Sequence, residues 1–166
     1  MQKIATYLWY EKEAEEAASL YVDLFKARPG TPAGDSKVLE VSRYTEAGPG
    51  EPGSAMVVSF ELDGQEFIAL NGGPQFTFTE AISLFVRCDS QEEVDYFWDA
   101  LTSNGGEESQ CGWLKDRFGL SWQIIPNRLM ELIGDPDPSR AQRAMQAMLQ
   151  MQRIDVAEIE RAADAA

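Results

Sequence analysis

A chain of 166 residues, 44% of them hydrophobic, has enough apolar material for one core or for two small halves that share one. Its 28 acidic residues against 14 basic ones leave a net charge of −14, which removes the phosphate-neutralising affinity of a nucleic-acid binder and disfavours an anionic membrane surface. There is no histidine, so imidazole-built zinc or iron sites and nucleophiles activated by histidine are excluded.

No apolar run approaches the roughly 20 residues of a membrane span. The opening MQKIATYLWYEKEAEE lacks the basic, apolar and small-residue succession of a secretory signal. Cys88 and Cys111 alone imply no disulfide framework, and a reduced, cytoplasmic protein is the expectation.

Lys3 to Tyr10, β-branched and aromatic, predicts a strand. Glu13 to Phe25 places Ala14, Ala17, Ala18, Tyr21 and Phe25 at spacings of three and four, one apolar helical face. The ARPGTPAGD segment, 27–35, breaks that helix. Ser36 to Tyr44 and Ser54 to Leu62 read as strands around a Gly/Pro-rich loop from Glu46 to Gly53. Asp63-Gly64 is a hairpin turn that returns Gln65 to Leu70 beside the preceding strand. Asn71 to Pro74 marks a break.

The pattern then restarts. Glu80 to Cys88 predicts a strand, and Ser90 with Glu93 forms a capping box for a helix whose buried stripe is Val94, Phe97, Trp98 and Leu101. Asn104-Gly105-Gly106 ends it, and three short strands follow to Pro126. Superposed at an offset of 77 (98−21), Tyr21 falls on Trp98 and Leu24 on Leu101. Each half reads strand, helix, three strands, an internal repeat. Beyond Pro126, a helical turn over Asn127 to Ile133 precedes a helix from Ser139 to Gln152 with Ala141, Met145, Met148 and Leu149 on one face. Asp155 and Glu158 open a last, alanine-rich helix. The methionine stripe reads as core filler or as a partner groove.

The segment Gly105 to Pro126 holds the most chemistry. Cys111, Trp113 and Leu114 precede a polar turn, Lys115 to Gly119, and Trp122, Gln123, Ile124 and Ile125 follow it. Two tryptophans, a thiol and an amide here make either a hairpin core or the wall of a pocket. Cys111 is a buried thiol or one activated by Lys115 or Arg117. Asn71 is a turn former, or a ligand contact beside two glycines that admit a ligand to the backbone. Glu80 is a base or a solvated strand end.

A duplicated βαβββ unit closing on Gly119-Leu120-Ser121-Trp122-Gln123 resembles the glyoxalase, bleomycin-resistance and dioxygenase superfamily, the vicinal oxygen chelate proteins. Asn71-Gly72-Gly73-Pro74-Gln75-Phe76, the helix Gln91-Glu92-Glu93-Val94-Asp95-Tyr96-Phe97-Trp98, and Cys111-Gly112-Trp113 through Trp122-Gln123 look like its PhnB-like branch. The resemblance implies an α+β fold: two tandem βαβββ units, about 3–72 and 80–126, form a glyoxalase-like half-barrel pair over residues 1–126, with a helical extension over 127–166. It implies metal ligands, His or Glu, on the first and last strands of each unit. Those positions fall here on about Ile4, Ile68, Ala81 and Gln123, which cannot hold a divalent cation, so no metal and no cofactor are expected.

The function implied is metal-independent binding of an unidentified small molecule. The expected ligand contacts are Asn71, Phe85, Cys111, Trp113, Trp122 and Gln123. The alternative is an enzyme of the vicinal oxygen chelate type: an isomerase, a dioxygenase or a transferase. A demethylubiquinone methyltransferase label is attached to this branch, but no Gly-rich strand-to-helix turn supports it. A homodimer is expected: the resemblance points to one, and the residues beyond the second unit, with the face of Ala141, Met145, Met148 and Leu149, place the C-terminal segment at the interface. The alternative is a helix folded back on its own sheet in a monomer.

Overall fold

Alternation along the first strand sets the layering of the first half. β1 (Thr6–Tyr10) buries Leu8 and Tyr10 and leaves Tyr7 more than half exposed. The computed structural model describes residues 2–30, 32 and 34–165. Met1 and Ala166 at the ends of the expected domains, and Thr31 and Ala33 within the expected break, lie outside the described residues. The chain divides into two compact units, Met1–Phe78 and Thr79–Ala166.

In the first unit, α1 (Ala14–Ala27) buries Ala14, Ala17, Ala18, Tyr21 and Val22, and the Tyr21 ring lies 6.3 Å from that of Phe60. Small residues along this face let the helix sit close to the sheet. β2 (Lys37–Arg43), β3 (Ala55–Leu62) and β4 (Gln65–Asn71) complete an open four-stranded sheet of order β1-β4-β3-β2. β1 runs parallel to β4, and the remaining pairs are antiparallel. Asp63 and Gly64 both adopt positive φ (49° and 79°) and close Leu62 against Gln65, the turn the sequence demands.

The second unit repeats the order. β5 (Ser83–Cys88) leads to α2 (Gln91–Thr102), and β6 (Glu107–Glu108), β7 (Trp113–Lys115) and β8 (Ser121–Pro126) form an open sheet of order β5-β8-β7-β6. The Ser90 cap is present, the Glu93 amide donating to Ser90 Oγ (3.2 Å), and the Glu93 side chain reaches back one residue beyond a capping box, its Oε2 accepting from the Asp89 amide (2.7 Å). Val94, Phe97, Trp98 and Leu101 are buried, as their spacing predicts.

The repeat carries one slip. Helix positions correspond at an offset of 77, Glu13 and Ser90 being the two N-caps. Strand positions correspond at 78 (88−10), since Tyr10 faces Asn71 and Cys88 faces Pro126 at the ends of the two parallel pairs. The connection before α2, Asp89–Ser90, is one residue shorter than Glu11–Glu13 before α1. β1 and β5 begin at Thr6 and Ser83, so the expected ligand positions Ile4 and Ala81 lie before their strands. The residues facing Ile68 and Gln123 are Tyr7 and Phe85.

The extension belongs to the second unit. α3 (Asn127–Ile133), α4 (Pro138–Met148) and α5 (Val156–Asp164) enclose a cluster of Ile125, Leu129, Leu132, Ala144, Ile154, Ile159 and Ala163. Gln91 of α2 holds both sides of the approach to α5: its Nε2 donates to Ile154 O (3.0 Å) and its Oε1 accepts from the Val156 amide (2.8 Å). Arg143 donates to the carbonyls of Ala162 and Ala163 at the end of α5, satisfying acceptors that a helix leaves open. The expected stripe on α4 is out of phase. Ala144, Ala147 and Met148 face the cluster, while Met145 and Leu149 are exposed. Among the described residues no helix is long and apolar enough to cross a membrane.

Candidate functional site

Strand pairing assigns every side chain of the second sheet to one of two faces. Leu84 faces Trp122, Val86 faces Ile124 and Leu114 faces Trp122, and these turn toward α2 as the core. The opposite face carries Phe85 beside Gln123 beside Trp113, and in the next row Ser83 beside Ser121 beside Lys115 beside Glu107. An aromatic row thus lies against a polar row on the face turned away from α2.

Few bonds fix this face. Gln123 Nε2 donates across to Ser83 Oγ on β5 (2.9 Å), and among the described residues none is bonded to its carbonyl oxygen. The Arg87 guanidinium lies 5.4 Å from the Phe85 ring centroid. Lys115 is ion-paired with Glu80. The hydrogen bond from Lys115 holds the Glu80 carboxyl below its usual range, and the Glu80 carboxylate raises the Lys115 ammonium above its own. Glu80 is thus held as the ion-pair partner of Lys115 ahead of β5.

Of the six expected ligand contacts, three meet: Phe85, Trp113 and Gln123 share this face. Trp122 does not belong with them, because successive strand residues point to opposite sides. It is 1% exposed, and its Nε1 donates to Asp116 Oδ2 (2.9 Å). Asp116, read from sequence only as part of a turn, also accepts from the amides of Phe118 (2.9 Å) and Leu120 (3.1 Å). One buried carboxylate shapes the whole β7–β8 turn, and an Asp three residues before a glycine is the signal that could have found it.

Cys111 and Gly112 occupy a turn of type I′, with φ of 57° and 84° and the Trp113 amide donating to Gln110 O (3.0 Å). The Cys111 thiol is half-buried, and Cys88 is fully buried. Burial and the nearby Glu93 and Asp89 charges push the Cys88 thiol up to about 12.

Asn71 lies in the first unit and is fully engaged. Its Oδ1 accepts from the Ala14 amide at the start of α1 (2.8 Å), and its Nδ2 donates to Ala55 O (3.0 Å). It caps, from a distance, a helix whose own N-cap residue Glu13 makes no side-chain cap. A Cβ on the neighbouring Gly72 would meet the Trp9 indole at 2.3 Å, so this glycine makes room for a ring. A cleft of about 470 Å³ opens beside these residues, between the α1 start and the Glu46–Gly53 loop, lined in part by Lys12, Arg43, Tyr44 and Glu51. Arg43 is paired there with Glu15 (3.0 Å). Nothing in the composition of the loop announces the cleft.

The donors do not fit a divalent cation. In the first unit the two strand positions hold a phenol, Tyr7, and an alkyl group, Ile68. In the second they hold a phenyl ring, Phe85, and a neutral amide, Gln123. Among the described residues no three His, Cys, Asp or Glu side chains are grouped to hold a metal.

Two βαβββ units, each with its first and last strands parallel, make a glyoxalase-like fold. A family model described as 3-demethylubiquinone-9 3-methyltransferase matches residues 2–125, and the chain belongs to that family. It is similar to a PhnB protein of Bacillus cereus, provisionally described as a 3-demethylubiquinone-9 3-methyltransferase. Identity is 36% and the TM-score 0.65, over 75% of this chain and 99% of that one. The fold is also that of protein PA1353 of Pseudomonas aeruginosa (18% identity, TM-score 0.58, 76% of this chain and 98% of that one). The fosfomycin resistance protein FosX of Listeria monocytogenes shares it too (12% identity, TM-score 0.50, 79% and 97%). No curated protein matches the sequence. The family match stops at residue 125, so the helical extension lies beyond it.

Proposed function

We propose that the chain binds a small organic molecule on the face of the second sheet that carries Phe85, Trp113 and Gln123, without a divalent metal to anchor it. The observation that carries this reading is the orientation of Gln123. Its amide occupies the last-strand position where the superfamily resemblance places a metal ligand, and its nitrogen is tied to Ser83 so that the carbonyl oxygen is left to accept from a ligand. Two aromatic rings in the same row supply apolar walls, and a few fixed polar atoms among aromatic surface suit a flat ligand.

The methyltransferase activity in the family's description finds no support in the strand-to-helix turns. Glu11–Glu13 and Asp89–Ser90 contain no glycine, so neither offers the backbone cradle of a nucleotide-like methyl donor.

A thermal-shift screen of metabolites against the wild-type chain and Gln123→Ala tests the proposal. A ligand at 100 times its dissociation constant stabilises the native state by about 2.7 kcal/mol, and that shift should shrink in the variant. Hits that stabilise both proteins equally would place binding elsewhere.

A further inference from the structure

Two dipeptides of this chain, Asn71-Gly72 and Asn104-Gly105, carry the pairing most prone to spontaneous loss of the side-chain amide. Glycine has no Cβ to keep its nitrogen away from the asparagine Cγ, so a five-membered imide closes there more readily than before any other residue. Asp63-Gly64 offers only a carboxylate, which has a poorer leaving group. In an unfolded chain the two asparagines would age alike. The fold treats them differently.

Asn71 is held at every point that the reaction must move. Its side-chain oxygen and nitrogen are bonded to the Ala14 amide and to Ala55 O, and its own carbonyl accepts from the Tyr44 hydroxyl (2.6 Å). The Gly72 amide, which would be the attacking nitrogen, donates to Tyr10 O (2.9 Å). Gly72 is also packed against the Trp9 indole. Ring closure would break these bonds and pull residue 71 out of its pairing with Tyr10.

Asn104 stands in the turn Ser103–Gly105 between α2 and β6. It and Gly105 are exposed, and among the described residues its side chain has no hydrogen-bond partner. Its backbone is left-handed (φ 55°) and Gly105 follows at φ 106°, so the pair lies outside any strand ladder. Nothing lies within 4 Å of a Cβ placed on Gly105, which leaves the Asn104 side chain room to swing toward the glycine nitrogen.

We propose that Asn104 is a site of spontaneous deamidation and that the fold protects Asn71 from the same fate. The Gly105 nitrogen forms a bond to Asn104 Cγ as the Cγ–Nδ2 bond breaks, and ammonia leaves with the proton of the Gly105 amide. Water then opens the imide at either carbonyl, giving aspartate or isoaspartate, with no change of oxidation state. Either product adds a carboxylate next to Glu107 and Glu108 of β6. Isoaspartate also routes the main chain through the former side chain and so lengthens the connection from α2 to β6. The inference is independent of where a ligand binds.

The test is peptide mapping by mass spectrometry of the full chain held in mildly alkaline buffer, natively and in urea. In the native chain Asn104 should convert to aspartate and isoaspartate at least about tenfold faster than Asn71. In urea the two rates should come within about threefold of each other, because the protection of Asn71 comes from folded contacts. Asn104→Gln, which should fold as the wild type does by circular dichroism, should remove the acidic species that isoelectric focusing shows in the aged native protein. Equal native rates, or faster loss at Asn71, would overturn the inference. So would a native chain in which Asn104 stays intact while it reacts in urea. A difference that persists undiminished in urea would overturn the protective role of the fold, since the local sequence would then be its source.

Discussion

The backbone amide of Cys111 lies 2.8 Å from the carbonyl oxygen of Met151, and the next amide, that of Gly112, lies 2.8 Å from the carbonyl of Gln152. Two consecutive bonds therefore pin the turn before Trp113 to the segment joining α4 and α5. The extension thus reaches the candidate site without contributing a side chain to it.

A chain ended at Pro126 should consequently lose more than its tail. Removal strips Ile125 of its partners in the extension and frees the Cys111–Gly112 turn, a loss of about 3 kcal/mol or more on the scale of large core truncations. Calorimetry should show the second unit melting at a lower temperature, with Trp113 emission shifted toward that of an exposed indole. A truncated chain that melts with the intact one would show the extension to be dispensable.

Gly112 should tolerate substitution far less well than Gly119. Both have positive φ (84° and 86°), but a Cβ on Gly112 would meet Ile125 Cδ1 at 2.6 Å and Ile154 Cγ1 at 3.2 Å, whereas nothing lies within 4 Å of one on Gly119. Gly119→Ala should cost about 1 kcal/mol for conformation alone, and Gly112→Ala about 2–4 kcal/mol with the added overpacking. Denaturant midpoints measure both, and equal costs would contradict the packing described.

Asn71 should matter for stability rather than for binding. Asn71→Ala removes the acceptor for the Ala14 amide and the donor to Ala55 O, at about 2 kcal/mol. Asn71→Asp keeps the acceptor at the helix start and should recover part of that loss. A variant with native stability but lost ligand binding would reverse the assignment.

Cys88 sets a limit at alkaline pH. Its folded-state thiol is raised from 9.0 to about 12, so between these values the unfolded chain has released the proton and the native chain has not. Stability should fall as pH rises through that window and be insensitive to Cys88 below it, and Cys88→Ala should flatten the decline. Denaturant titrations at a series of pH values above neutrality measure this, and an unchanged slope in the variant would remove Cys88 as its source.

Metal content gives a direct check on the donor set. Protein expressed with added zinc, nickel, manganese and iron, then dialysed, should carry less than stoichiometric metal, because Tyr7, Ile68, Phe85 and Gln123 are poor ligands for these ions. One tightly held equivalent would mean that carboxylates elsewhere have assembled a site.

The elements were legible in the sequence because their signals are local. The Ser90–Glu93 cap, the Asp63-Gly64 turn and the apolar spacing of α2 each depend on neighbours within a few residues. What escaped is relational. The first-strand residues facing Ile68 and Gln123 are Tyr7 and Phe85, three and four residues on from Ile4 and Ala81, and only strand pairing reveals them; the one-residue difference between the two strand-to-helix connections makes the two shifts unequal. Trp122 and Gln123 as joint pocket residues violate simple alternation, which the sequence alone was enough to expose. The α4 stripe failed for a different reason. Alanine carries little weight in an apolar pattern, yet Ala144, close against α5, is the residue that α4 buries completely.

Fluorotryptophan labelling tests the central claim most directly, since the four indoles divide by environment. Trp98 and Trp122 are buried with their N–H groups bonded to Glu108 and Asp116, Trp9 is bonded to Gly73 O in the first unit, and Trp113 alone stands on the proposed surface. With the four fluorine resonances assigned by single Trp→Phe variants, a stabilising metabolite should shift the Trp113 signal in proportion to saturation and leave those of Trp98 and Trp122 in place. A stabilising ligand that moves Trp9 and leaves Trp113 untouched would contradict the account and turn attention to the first-unit cleft.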